Sequence, residues 1–178
     1  PGPFLRADRE KPLSRELVIG QWGLVPWFAK TAKLTYSTNN ARFEEITTKA
    51  SFKSSWSYGK RCIIPAVSFD EPNWESGKNV WWRFRRADGA PWGLAGLWNT
   101  WTDKTTGEVV ESYTMLTLNA DIHPLMNRMH KPDPARRTPS ALVPFVRPYP
   151  RAVIWLLGAL GGVIFVLFWV FRLGFLAS

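Results

Sequence analysis

Fourteen prolines and thirteen glycines punctuate a chain of 178 residues, and turn-setting residues at that density do not fit a bundle of long helices. Eleven tryptophans add bulk that suits a pleated, half-buried surface. The expectation is a turn-rich, sheet-rich body. Its length supports one hydrophobic core and falls short of two ordinary domains. A single cysteine, Cys62, excludes an intrachain disulfide and a cysteine-based zinc cluster, and fits a reducing compartment. The formal charge of +9 favours a polyanionic partner without naming one.

The composition changes after Asp133, the last acidic residue, while Arg136, Arg137, Arg147, Arg151 and Arg172 follow it. Residues 1–137 read as a folded domain, 138–151 as a basic, proline-rich linker, 152–171 as a membrane-spanning helix and 172–178 as a tail. The span rests on twenty uncharged residues from Ala152 to Phe171. A helix rising ~1.5 Å per residue crosses a hydrocarbon layer ~30 Å thick in about that length. The arginine excess ahead of the run puts the domain on the cytoplasmic side, tethered to the inner membrane. The first thirty residues hold charges and prolines in place of the apolar run of a signal peptide.

Within residues 1–137 strands dominate. Leu17 to Val25 reads as a buried strand. Asn79 to Arg86 and Trp92 to Trp98 read as a hairpin about the Ala87-Asp88-Gly89 turn, and Glu108 to Leu118 as a third antiparallel strand after the turn ending at Gly107. Glu44 to Ser57 is the expected helix, with Ile46, Ala50 and Trp56 on one face. The fold class is α+β: a curved antiparallel sheet or barrel with flanking helices. Trp81, Trp92 and Trp98 are expected in its core.

Four segments place polar, orientable residues at junctions between apolar runs, where a rigid scaffold can aim them. They are Trp22-Gly23-Leu24-Val25-Pro26-Trp27, Asn39-Asn40-Ala41-Arg42-Phe43-Glu44, Arg61-Cys62-Ile63-Ile64-Pro65-Ala66 continuing to Phe69-Asp70-Glu71, and Leu125-Met126-Asn127-Arg128-Met129-His130. With Ala95-Gly96-Leu97-Trp98 between them, their order and spacing resemble the SOS response-associated peptidase (SRAP) family, which processes abasic sites in single-stranded DNA.

The resemblance implies a self-processing protein that removes its initiator methionine to expose an N-terminal cysteine. The α-amine, of ordinary pKa ~8, condenses with the ring-opened aldehyde of an abasic sugar and loses water to give an imine. The thiol then adds across the C=N bond to close a thiazolidine, a DNA-protein crosslink. Carried over by position, Glu71 is the general acid/base, His130 protonates or polarises the opened sugar, and Asn40 holds the amine or the sugar. Arg42 and Lys49 contact phosphates, as do Lys30, Lys33 and Lys53 nearby, and Trp27 with Phe28 wedges beside the lesion. No cofactor or metal is implied, and the partner is single-stranded DNA with abasic sites, bound by a monomer.

From residue type alone, Glu71 and Arg42 could equally form an ion pair, and Asn40 could cap the helix that follows. His123, followed by proline, reads as a loop histidine. The chain departs from the family at both ends. It begins Pro1-Gly2-Pro3, so the family's cysteine is missing and an N-terminal segment is expected to be absent; Cys62 reads as a buried, inert thiol. Beyond Arg137 the tail replaces the family's last strand and helix. Two other readings stay open: a catalytically inactive, membrane-tethered remnant, and a basic, tryptophan-rich β domain for another polyanion or a glycan.

Overall fold

The computed structural model describes residues 1–11, 13–120, 123–129 and 140–141. His130 and the apolar run from Ala152 to Phe171 lie outside them. Among the described residues no helix is long and apolar enough to cross a membrane. The chain forms two compact units, one from Pro1–Pro65 with Leu94–Leu116 and one from Ala66–Gly93 and the described residues from Thr117 onward.

The first unit is built on a barrel. β1 (Gly2–Ala7) pairs antiparallel with β2 (Arg15–Trp22) and with β4 (Arg61–Ala66). β7 (Trp92–Thr102) lies between β4 and β8 (Val109–Asn119). A parallel pairing of Gln21 and Trp22 with Ser112 and Tyr113 returns β8 to β2 and closes the ring of five strands. Closure removes the exposed edges that an open sheet leaves unpaired. The short β3 (Asn40–Arg42) adds to β8, and β9 (Ser140–Ala141) pairs with the far end of β8.

Alternation along these strands sorts side chains to the two faces. On one face Phe4 is fully buried, with its ring 5.3 Å from Tyr113. Arg6 sits two residues on with a side chain only 5% exposed, bound to Glu16 and to Glu111 at 2.8 Å and stacked 4.2 Å from the Trp98 ring. Two carboxylates and an aromatic face thus offset the cost of burying this guanidinium. Gly96 is required where β7 and β8 converge, because a Cβ there would fall 2.6 Å from the Thr114 carbonyl oxygen and 2.9 Å from Cys62 Sγ.

Three sequence expectations are corrected. β2 is not a buried strand: Leu17 and Ile19 are 64% and 63% exposed, and the fully buried Leu24 and Val25 lie beyond its end. The apolar run conceals a period of two, with Val18 and Glu16 registered against Phe4 and Arg6 on the inner face. The helix over 44–57 is split into a 3₁₀ turn at Phe43–Glu45 and α1 (Ala50–Ser57). Between them the Glu45 carbonyl accepts the Thr48 hydroxyl and N–H at 3.1 Å and the Lys49 N–H at 2.8 Å, and the helix breaks where Lys49 turns to extended backbone. Ala50 is consequently exposed, while α1 buries Phe52 and Ser55.

The third correction concerns the hairpin. In the second unit β6 (Val80–Phe84) pairs with β5 (Phe69–Asn73), not with β7. Phe69 stacks on its cross-strand partner Phe84 with centroids 5.1 Å apart, and Asp70 receives two 2.8 Å bonds from Arg83 opposite. These pairs stabilise β5 although Asp, Pro and Asn are poor strand formers. One face of the hairpin, with Phe69, Trp82 and Phe84, packs on Ala120, Met126 and Met129. Trp81 points the other way and is 64% exposed, so it is not a core tryptophan; Trp92 and Trp98 are half-buried.

Candidate functional site

The expected aromatic wedge is a turn on a buried base. Ala29 donates its N–H to the Pro26 carbonyl at 3.0 Å, which sets Trp27 and Phe28 at the two central positions of a β-turn. Their rings meet edge to face, 5.7 Å apart at 89°, and stay 67% and 43% exposed. Below the turn Leu24, Val25 and Pro26 are buried. The Val25 N–H donates to Ser112 Oγ at 2.9 Å, Asn99 Nδ2 donates to the Val25 carbonyl at 2.7 Å, and Trp101 Nε1 donates to the Ala29 carbonyl at 2.9 Å. Asn99 in turn receives 2.7 Å from Lys60 Nζ. Gly23 allows the chain to leave β2 towards this base, at a φ of 116° that disfavours any side chain.

Asn99, Ser112 and Trp101 were not singled out from sequence. The signal was faint: each is an ordinary alternating position of a strand, and only the fold shows that they reach the loop over 24–29.

The second group of expected residues lies on β3 and the turn after it. Asn39 anchors the approach: its carbonyl accepts Trp22 Nε1 at 2.9 Å and the Met115 N–H at 3.0 Å. Asn40 follows with an exposed side chain, Ala41 is fully buried, and Arg42 shares the strand face of Asn40. The residue that precedes the 3₁₀ turn is Arg42 and it makes no side-chain cap, so Asn40 does not act as a cap. The ion partner of Arg42 is Glu45, at 3.9 Å, and the other oxygen of Glu45 lies 3.2 Å from Lys49 Nζ. One carboxylate therefore sits between two expected phosphate contacts, all three groups partly open to solvent.

Glu71 belongs to the second unit. It lies in β5 opposite Trp82 and is only 6% exposed, on the inner face of the hairpin. Two residues on, buried Asn73 donates to the Arg128 carbonyl at 3.3 Å and forms a β-bridge with Met129. Arg128 grips Glu75 through two 2.7 Å bonds and lies 5.2 Å from the Trp82 ring. The Arg128 guanidinium, aided by Asn73, holds the Glu75 carboxyl down to about 2. The segment that leads to His130 is thus fastened to the strand that carries Glu71. His123 accepts the N–H groups of Leu125 and Met126 at 3.2 and 3.0 Å, a structural role in the turn at Met126–Arg128, and burial lowers its pKa.

Cys62 faces Gly96 and is 1% exposed, and burial pushes its thiol far above the ordinary cysteine range. A thiol held neutral and shielded is no nucleophile. Among the described residues no three His, Cys, Asp or Glu side chains gather as a metal site.

A family model described as SOS response associated peptidase (SRAP) matches residues 2–153. The abasic site processing protein HMCES of Xenopus tropicalis is 32% identical over 141 residues, which cover 68% of this chain and 42% of that protein. The abasic site processing protein YoaM of Bacillus subtilis is 34% identical over 111 residues, 62% of this chain and 47% of that one. This chain therefore spans less than half the length of both. A solved structure from Bordetella bronchiseptica superposes with a TM-score of 0.68 at 41% identity, over 80% of this chain and 66% of its own. One from Bacteroides thetaiotaomicron, with a TM-score of 0.62 at 23% identity over 93% of this chain and 67% of its own, shares the fold.

Proposed function

Since the chain belongs to the SOS response-associated peptidase family, we propose that it binds single-stranded DNA at abasic sites and supplies the scaffold for covalent capture of the opened sugar. The observation that carries the binding half is the Trp27–Phe28 pair. Two large rings held out to solvent on a rigid, hydrogen-bonded base lose little conformational freedom on binding and offer flat faces to unpaired bases. Arg42, Lys49 and the exposed Lys30, Lys33 and Lys53 supply charge for the backbone.

The chemical half assigns Glu71 and His130 to proton transfer at the imine and Asn40 to holding the sugar or the attacking amine. Buried Glu71 is shielded from bulk water, and residues 126–129 are fastened to the same hairpin. The reading takes its nucleophile from an N-terminal cysteine, and Cys62 cannot stand in for it. In this reading residues 1–137 are the DNA-binding domain and the run from Ala152 to Phe171 inserts in a membrane, a point tested by carbonate extraction.

The experiment for the site uses the chain extended at its N-terminus to begin with cysteine, with single-turnover crosslinking and equilibrium binding measured side by side. General acid/base groups contribute ~10²–10⁴-fold to rate, so Glu71→Gln slows capture by about that factor with binding intact. Arg42→Ala lowers affinity and the salt slope instead. An unchanged rate in Glu71→Gln with lowered thermal stability would make Glu71 a structural residue.

A further inference from the structure

The β5–β6 hairpin has two chemically distinct faces. The inner one carries Phe69, Glu71, Trp82 and Phe84 against the Met126–Met129 cluster. The outer one carries Trp81 and Arg83 at alternate positions of β6, with Pro72 and Asp70 opposite them, and Arg85 follows just past the end of the strand. Trp81, Arg83 and Arg85 belong to none of the motifs assigned above.

Trp81 is 64% exposed and the Arg83 side chain 59%, although an indole of this size usually finds cover. Alternate residues of a strand stand ~6.6 Å apart, which sets Trp81 and Arg83 side by side on one face of β6. Asp70 occupies Nε and Nη2 of Arg83 with its two 2.8 Å bonds, which fixes the guanidinium plane and leaves further N–H groups facing outward. Arg85, past the strand end, is exposed, and exposed Lys78 lies in the turn before β6. Three cations and one carboxylate flank an open aromatic surface.

We infer that this outer face, with Trp81 as its stacking platform and Arg83, Arg85 and Lys78 as backbone contacts, is a second binding surface for single-stranded nucleic acid. Cations beside an open indole suit a chain of phosphates with unstacked bases, whose two parts call for those two chemistries. A protein partner would instead call for an apolar centre depleted of charge, which this face lacks. The inference rests on the proposed single-strand binding and adds a contact for nucleotides that Trp27 and Phe28 do not hold.

The test is equilibrium binding of the full chain to an oligonucleotide of about 20 nucleotides, longer than one such module occupies. Trp81→Ala, Trp81→Phe, Arg85→Ala and Trp27→Ala are compared with the parent across a salt series. Trp81→Ala weakens binding by about 5- to 150-fold, the range set by loss of one stacked base, and Trp81→Phe recovers most of it. Arg85→Ala lowers the slope of log affinity against log salt by about 0.7. Unfolding midpoints stay at the parental value, since neither side chain is buried. If Trp27→Ala weakens binding while Trp81→Ala and Arg85→Ala do not, the second surface is overturned and the proposed function stands. If Trp81→Ala instead abolishes attachment to anionic phospholipid vesicles and leaves DNA affinity intact, the face belongs to a lipid surface and the inference fails. A parent chain that binds no single strand overturns the proposed function and this surface with it.

Discussion

The two units hold their functional segments by opposite means. In the barrel unit the Trp27–Phe28 turn is fixed from below by buried, mostly neutral hydrogen bonds from Asn99, Ser112 and Trp101. In the hairpin unit the segment before His130 is fixed by Arg128, Glu75 and Asn73, a clasp whose charged pair lies near solvent, with side chains 41% and 47% exposed. A buried neutral bond is indifferent to salt and to pH across the ordinary range, but its loss leaves an unsatisfied dipole in a dry interior. An exposed charge pair is individually weak, screened by salt, and released when one partner is neutralised. The Trp27–Phe28 turn is therefore built to be rigid, and the clasp before the expected acid/base residue His130 is built to respond to its medium.

The sharpest consequence is at Cys62. If the barrel is closed and rigid as the Gly96 contact requires, iodoacetamide leaves this thiol unmodified in the native protein and alkylates it completely on unfolding in guanidinium. Native labelling at a rate near that of a free thiol would show that the barrel opens readily.

Next in size is Asn99→Ala, which strips the Val25 carbonyl and Lys60 of a buried partner. Leaving such groups unpaired costs ~1–3 kcal/mol of stability, read as a shift in the denaturation midpoint that added salt does not alter. DNA affinity falls as well, because the turn loses its base. Retained stability with unchanged affinity would break the claim that this bond holds the wedge.

Smaller is the effect of acid on the clasp. Glu75 has its pKa depressed from 4.5 to about 2 by Arg128. Its stabilising contribution is therefore fully present above about 4.5 and is lost as the pH falls through about 2. The Trp82 indole beside Arg128 reports the release by fluorescence or by its NMR signal. Glu75→Gln removes that acid transition and lowers the unfolding midpoint at neutral pH by the small contribution an exposed pair makes. Persistence of the transition in Glu75→Gln would assign it to another group.

The β7–β8 part of the barrel was legible in sequence because its strands and turn obey local rules, whereas β1 carries no comparable signal. The turn from β7 to β8 is an example: Asp103 accepts the N–H groups of Thr105 and Thr106, and Gly107 takes a positive φ of 74°. The β5–β6 pairing was not legible, since Phe-Asp-Glu-Pro-Asn carries no strand propensity and becomes a strand only through Arg83 and Phe84 opposite it. The break in the helix before Ala50 was hidden as well, because the extended backbone of Lys49 interrupts a run whose apolar spacing is helical. At the site, Trp27, Phe28 and Asn40 stand out because they are polar or aromatic residues in recognisable motifs. Asn99 and Ser112, which support the turn, look from sequence like any half-buried strand positions.

The account depends most on the Trp27–Phe28 turn being the surface that holds single-stranded DNA. Its most direct measurement is the affinity of the full chain for an abasic single strand, with Trp27→Ala and Trp27→Phe alongside, over a range of salt. Parental binding weakens steeply as salt rises, Trp27→Ala costs a further ~1–3 kcal/mol, and Trp27→Phe restores most of the loss. Salt-independent binding, or equal affinity with and without the Trp27 ring, would contradict it.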